Sequence, residues 1–107
     1  MSRQFLHVTF NFGEKMPWEG PSEDDLKAQF DKAVDWMCYA PNCWILWTSR
    51  TPAEWFRQLK PLLGPKDNVF ICKIDLSPGN RAGWVPQWVW DWIRKPRAPG
   101  LTFKKPA

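Results

Sequence analysis

The sequence predicts an α+β domain in which a four-stranded antiparallel sheet carries two helices on one face, with a further helix near the C-terminal end. Three observations predict it. The 107 residues, 44% of them hydrophobic, suffice for one domain with one core and not for a separate cofactor-binding half. Stretches of period-2 alternation are interleaved with stretches of helical period, in the order strand, helix, short strand, strand, helix, strand. Both helical stretches within that order open on a side chain suited to cap them.

From Gln4 to Phe12, the residues Phe5, His7, Thr9 and Asn11 alternate with Leu6, Val8, Phe10 and Phe12, the pattern of a half-buried strand. Gly13 to Pro21 is turn chemistry. It ends at Ser22, an N-cap followed by Glu23, Asp24 and Asp25, whose charges suit the positive end of a helix dipole. Leu26, Phe30, Ala33, Val34 and Met37 then recur at helical spacing. The spacing predicts a first helix to about Trp36, with Asp31 and Asp35 on its solvated face and Met37 to Ala40 as a stub strand. Tyr39 to Asn42 reads as a turn, and Cys43 to Ser49, aromatic and β-branched, as a strand. Thr51, Pro52 and Glu54 form a capping box with proline in the first turn, which starts a second helix reaching about Leu63. Pro61 removes a backbone donor there and loosens the last turn. Asn68 to Leu76 alternates again and forms the last strand. In Trp84 to Lys95, Trp84, Trp88 and Trp92 share a helical stripe, while Trp88, Trp90 and Trp92 also alternate as in a strand. Pro86 in a first turn and Arg94 and Lys95 in a last one favour the helix. Residues 1–95 are thus one domain, and 96–107 a basic, Pro-rich tail.

Two helices alternating with four strands in this order suit a split βαβ pair, the ferredoxin-like βαββαβ arrangement with both helices on one face. The other face then receives no helix from the repeats. It is predicted to show Phe5, His7, Val69 and Ile71, too apolar a set for open water. Either the Trp-rich segment, through Trp84, Trp88 and Trp92, or a second copy of the chain covers it.

The strand His7 to Phe12, the CWILWTS strand, the T-P-A-E helix start, the Leu59 to Leu63 helix end, the Asp67 to Asp75 strand and GWVPQWVWDWI from Gly83 to Ile93 together resemble the SinR-like proteins. These are relatives of the small CRISPR-associated integration subunits and of VapD-type ribonucleases. The resemblance spans residues 4 to 94. It implies a ferredoxin-like fold and a homodimer, and, in members with nuclease activity, an aspartate at the end of strand one where metal binds. This chain has Asn11 there, and an amide is a poorer ligand for a hard cation than a carboxylate.

No phosphate-binding Gly-Lys loop, nucleophile elbow, Cys-x-x-Cys pair or pair of histidines occurs. The expectation is a non-catalytic, dimeric binding or scaffold protein without a cofactor. The alternative enzyme is a nuclease using Mg or Mn, with Glu14 or Asp75 compensating for Asn11. A third reading is single-stranded nucleic-acid binding. Up to residue 55 there are five basic and eight acidic side chains, and beyond it ten and three, so the C-terminal half holds the positive charge. Arg94, Lys95, Arg97, Lys104 and Lys105 could meet phosphates while the tryptophans stack on bases; otherwise they form a solubilising tail. His7 is a candidate acid–base group or, more simply, a hydrogen-bonded histidine in a packed interface. Cys38, Cys43 and Cys72 show no disulfide framework and are expected as free thiols. No run is long and apolar enough for a membrane helix, and the opening residues lack a signal-peptide core, so the expectation is a cytoplasmic protein without membrane partners.

Overall fold

A computed structural model describes residues 2–16 and 18–97. Lys104, Lys105 and the rest of the tail from residue 98 lie outside the described residues. The elements are β1 (Gln4–Asn11), α1 (Glu23–Phe30), β2 (Asp35–Ala40), β3 (Cys43–Thr48), α2 (Pro52–Leu59), β4 (Asn68–Ile74) and α3 (Gln87–Arg94). Four strands form one sheet in the order β2-β3-β1-β4, and every neighbouring pair is antiparallel. No described helix is long and apolar enough to cross a membrane.

The first sheet face is built on Leu6, Val8 and Phe10, all buried, whose neighbours across the ladders are Leu46 and Trp44 on β3 and Ile71 and Val69 on β4. Leu26 and Phe30 of α1 and Trp55 and Leu59 of α2 close that core. The Phe30 ring lies 4.6 Å from Trp44 and 5.9 Å from Trp55. Burying rings of this size contributes on the order of 2–3 kcal/mol each before any cavity effect. The Trp55 indole donates to Thr48 Oγ1 at 3.1 Å, which satisfies its polar end inside the core.

The Thr51 and Glu54 capping box forms as the sequence predicts, and at Ser22, the predicted N-cap, Asp25 completes a second box. After Leu59 a single 3₁₀ turn, Lys60–Leu62, replaces the α-helix around Pro61. Pro41 and Asn42 make a two-residue hairpin turn in which Asn42 takes φ 62°, a left-handed conformation asparagine tolerates.

Three expectations are corrected. The first helix stops at Phe30. The Lys32 and Ala33 amides bond back to Gln29 and Phe30, the Asp31 carboxylate accepts the Trp36 indole at 2.8 Å, and Val34 N–H already donates to Trp47 of β3. Residues 35–40 therefore alternate across a sheet: Trp36 and Cys38 pack toward the helices, while Met37 joins a second core. Asp35 opens β2 and shares no helix face with Asp31. Finally, Val69 and Ile71 lie on the helix-bearing face, because Val8 pairs with Ile71 and Phe10 with Val69. The opposite face of β4 instead carries Phe70, Cys72 and Ile74.

α3 covers that opposite face over β2 and β3 and leaves Phe70 of β4 exposed. Val89, 3% exposed, packs on Met37 and Ile45, with Phe5, Ile74, Leu76, Val85, Trp92 and Ile93 around them. The C-terminal end of the helix is fastened by charge. Lys95 Nζ lies 2.7 Å and Arg97 Nη2 3.6 Å from Asp35 Oδ2. The Arg97 guanidinium sits 4.3 Å from the Trp92 ring centroid, 5.2 Å from Phe5 and 5.8 Å from Trp47, and donates to the Trp92, Ile93 and Lys95 carbonyls. Burial would raise the Asp35 pKa, but the Lys95 ammonium and the Trp36 amide outweigh it and hold the carboxyl below its usual range.

A second carboxylate joins two loops on the helix-bearing side. Asp67, its side chain 1% exposed, accepts from Gly13 N at 3.1 Å, Gly64 N at 2.7 Å and Lys15 Nζ at 2.8 Å. The loops approach so closely that a Cβ at Gly13 would meet Lys66 Cβ at 2.6 Å. Burial pushes the Asp67 pKa up, yet those three donors and the Lys15 charge pull it below the ordinary carboxylate range. Asp67→Ala leaves two amides and an ammonium without their acceptor, and we expect it to lower stability by about 2–4 kcal/mol in urea unfolding at pH 7. Because the native pKa is the lower one, the wild-type advantage is complete above about pH 4 and disappears as pH falls through the native value.

Candidate ligand-binding site

Between α3, the loop after β4 and the second sheet face lies an open cavity of about 280 Å³. Tyr39 and Ile45 of the sheet, Arg81 and Val85 of the loop and Val89 and Trp90 of α3 line it. Its size is at the small end of the roughly 300–1,000 Å³ typical of small-molecule sites, and its walls are mainly apolar with few polar groups, as in such sites. The cavity exists because α3 meets the sheet through Val89 and Ile93 while Trp90, on the neighbouring flank, turns to Arg81. The guanidinium lies 5.6 Å from the Trp90 ring centroid.

The polar groups of the lining differ in what they have left to offer. The Tyr39 hydroxyl is 2.7 Å from His7 Nε2. Asn80 donates to Ser77 Oγ at 2.9 Å, and Ser77 in turn donates to Asp75. Arg81 Nη1 is buried and has no hydrogen-bond partner among the described residues. Two other grooves hold carboxylates that are already bonded within the chain: one of about 400 Å³ beside Phe5 and Lys73 has Asp75 on Ser77, and one of about 320 Å³ beside Val69 and Lys60 has Asp67.

Next to the cavity, His7, Tyr39, Thr9 and Cys43 share the same sheet face, with Thr9 Oγ1 3.8 Å from Cys43 Sγ. Burial lowers the His7 pKa and so favours the neutral imidazole. Burial also raises the Tyr39 pKa, with the neighbouring Cys43 adding to it, and raises that of the Cys38 thiol. The His7 imidazole, the Tyr39 phenol and the Cys38 thiol are thus held toward their uncharged forms. All three cysteines are free thiols.

The residues singled out for chemistry are not brought together. Asn11 is paired with Asn68 at one end of β1, whereas Asp75 follows Ile74, the partner of Phe5, at the other. Six residues of strand put them about 20 Å apart. Glu14 is exposed in the β1–α1 loop beside Lys15 and Glu19. Among the described residues no three His, Cys, Asp or Glu side chains are grouped to hold a metal ion. Of the basic candidates, Arg97 and Lys95 are engaged with Asp35, and Arg94 is 3.2 Å from Asp91. Of the predicted partner surface, Phe5 and Trp92 pack under Arg97 and within the second core, and Val69 and Ile71 face the helices; only Trp84, fully exposed, and Trp88, 49% exposed, offer broad area outward. Sequence reasoning passed over Arg81 and Tyr39. The one signal for Arg81 is a lone arginine between the last strand and a tryptophan-rich helix.

No protein-family model, curated protein or solved structure matches this chain.

A ¹H–¹⁵N or ¹³C titration followed at the His7 imidazole should give a midpoint below the ordinary value near 6.5. The fold favours the neutral ring, so this contribution to stability is present above pH 6.5 and lost as pH falls through the lower native value. A midpoint at or above 6.5 contradicts the buried, neutral assignment.

Proposed function

We propose that this chain is a non-catalytic binding module of ferredoxin-like architecture, working in the cytoplasm, whose site is the cavity between α3 and the sheet. The sheet order β2-β3-β1-β4, with α1 and α2 on one face, supports the architecture. The same order is what the SinR-like resemblance implies, and we extend the proposal to that relationship. The observation that carries the function is the cavity of about 280 Å³ itself, apolar, with an unspent cationic donor in its wall. The separation of Asn11 from Asp75 favours binding over a metal-dependent nuclease. The engagement of Lys95 and Arg97 with Asp35 likewise weakens the nucleic-acid reading.

The test is direct. Phenylacetamide and benzyl alcohol, titrated at millimolar concentration, should shift the amide resonances of Tyr39, Val85, Val89 and Trp90. Ala82→Trp, which fills the cavity from the exposed loop, should abolish those shifts while leaving the rest of the spectrum in place. Absence of any shift at these residues with apolar compounds, charged or neutral, overturns the proposal.

A homodimer is a second reading, on a footing different from the bare sheet face. Here β4 is an edge strand, and its Phe70 is 62% exposed on the part of the face that α3 leaves open. Antiparallel pairing of β4 with its copy would cover both. Light scattering at tens of micromolar should give twice the 12.6 kDa chain mass, reverting to that mass in Phe70→Glu. The monomer mass for the wild type removes this reading.

A further inference from the structure

We propose that the ligand of the cavity is a small apolar monocarboxylate and that Arg81 is the residue that reads its charge. This rests on the cavity being the binding site. Arg81 carries a charge it cannot shed and five N–H donors. Among the described residues it makes no ion pair, and its buried Nη1 has no acceptor. The acidic side chains nearest in sequence are engaged elsewhere: Asp75 accepts from Ser77, and Asp91 from Gln87 and Arg94. The lining contains no acidic residue. A guanidinium without an acceptor is costly, and a carboxylate reaching its Nε and Nη2 edge, which unlike Nη1 is not closed to solvent, gives the largest gain, since charge assistance and the bidentate fork both apply.

The rest of the wall sets the remainder of the ligand. Ile45, Leu76, Val85, Val89 and Ile93 offer only apolar contact, and the Trp90 indole offers a ring face. Tyr39 and Asn80 already have partners in His7 and Ser77. A phosphate would find one cation and only the neutral donors of Asn80 and Trp90 in a mainly apolar wall, and an ammonium would meet the Arg81 charge. The Trp90 ring, 5.6 Å from the guanidinium, holds it at the cavity wall; Nη1 is closed off there, which leaves Nε and Nη2 to an incoming oxygen. The cavity is small, so the body that fits is one ring or a short alkyl chain.

Phenylacetate, its neutral isostere phenylacetamide, phenethylamine and inorganic phosphate separate these chemistries in one titration series read at the Tyr39, Val85, Val89 and Trp90 amides. Phenylacetate should bind at least about tenfold more tightly than phenylacetamide, with phenethylamine and phosphate weaker still. Arg81→Gln should bring phenylacetate and phenylacetamide to within about twofold of each other, with the amide resonances outside the cavity unmoved as the report that the fold is intact. Arg81→Lys, keeping charge but not the fork, should fall between. Equal binding of acid and amide by the wild type, or an acid preference that survives Arg81→Gln, overturns the carboxylate inference and leaves the cavity as an apolar site. If phosphate displaces phenylacetate at equal concentration, the apolar body is irrelevant and the inference also fails. Should none of the four compounds, nor benzyl alcohol, perturb these residues, the binding module itself falls with it.

Discussion

A sheet that is apolar on both faces cannot leave one of them to water, and that requirement organises this chain. β1 runs between two partners, with Leu6, Val8 and Phe10 on one side and Phe5, His7 and Thr9 on the other. The two repeat helices cover only the first side. Whatever follows β4 must return across the sheet, which is what the Gly-rich loop and α3 do, bringing Val89 onto Met37 and Ile45. At about 25 cal/mol per Å² of apolar surface removed from water, an uncovered face of this kind costs more than a marginally stable domain has to spare.

An eight-residue helix has little hold of its own, because nucleation is unfavourable and short helices are marginal in water. Its two ends are secured differently. Pro86 stands at the N-terminal boundary without a side-chain cap, so the loop ahead of it supplies the constraint. At the other end a partly buried carboxylate, Asp35, gathers Lys95 and Arg97, and Arg97 in turn covers the edge of Phe5, Trp47 and Trp92. Partly buried pairs gain more than surface pairs when further hydrogen bonds satisfy the ions, and Arg97 donates to three carbonyls as well. The basic cluster that reads as a phosphate-binding tail is, in this fold, largely the fastening of a helix.

Much of the architecture was legible from local chemistry. The caps at Ser22 and Thr51, the turn at Pro41 and Asn42, the loosened end at Pro61 and the four strands follow from patterns a few residues long. What was not legible depended on parity and reach. Ala33, Val34 and Met37 fit a helical stripe and a strand equally well; the Val34 amide bonding to Trp47 decides between them, and that partner is 13 positions away. For β4 either set of alternate residues is apolar enough for a core, so the face carrying Val69 and Ile71 is fixed only by register against Val8 and Phe10. The candidate site was least visible of all, because Tyr39, Ile45, Arg81 and Trp90 belong to four separate segments.

The same geometry bears on where chemistry can reside. The nine tryptophans are not one functional set: Trp44 and Trp55 fill the first core, Trp92 lies under Arg97, and Trp90 carries Arg81. Of the three arginines that rest on indoles, Arg50 donates to Gln58, and the other two differ in one respect. Among the described residues Arg97 has Asp35 and three carbonyls, so its charge is answered within the chain, whereas Arg81 has only the ring face. A ring quadrupole attracts a cation but accepts no fork of N–H bonds, so stacking positions the guanidinium without satisfying it. A protein that folds around an answered arginine and an unanswered one has used the first for structure, and the second faces a cavity in which an acceptor is the missing piece.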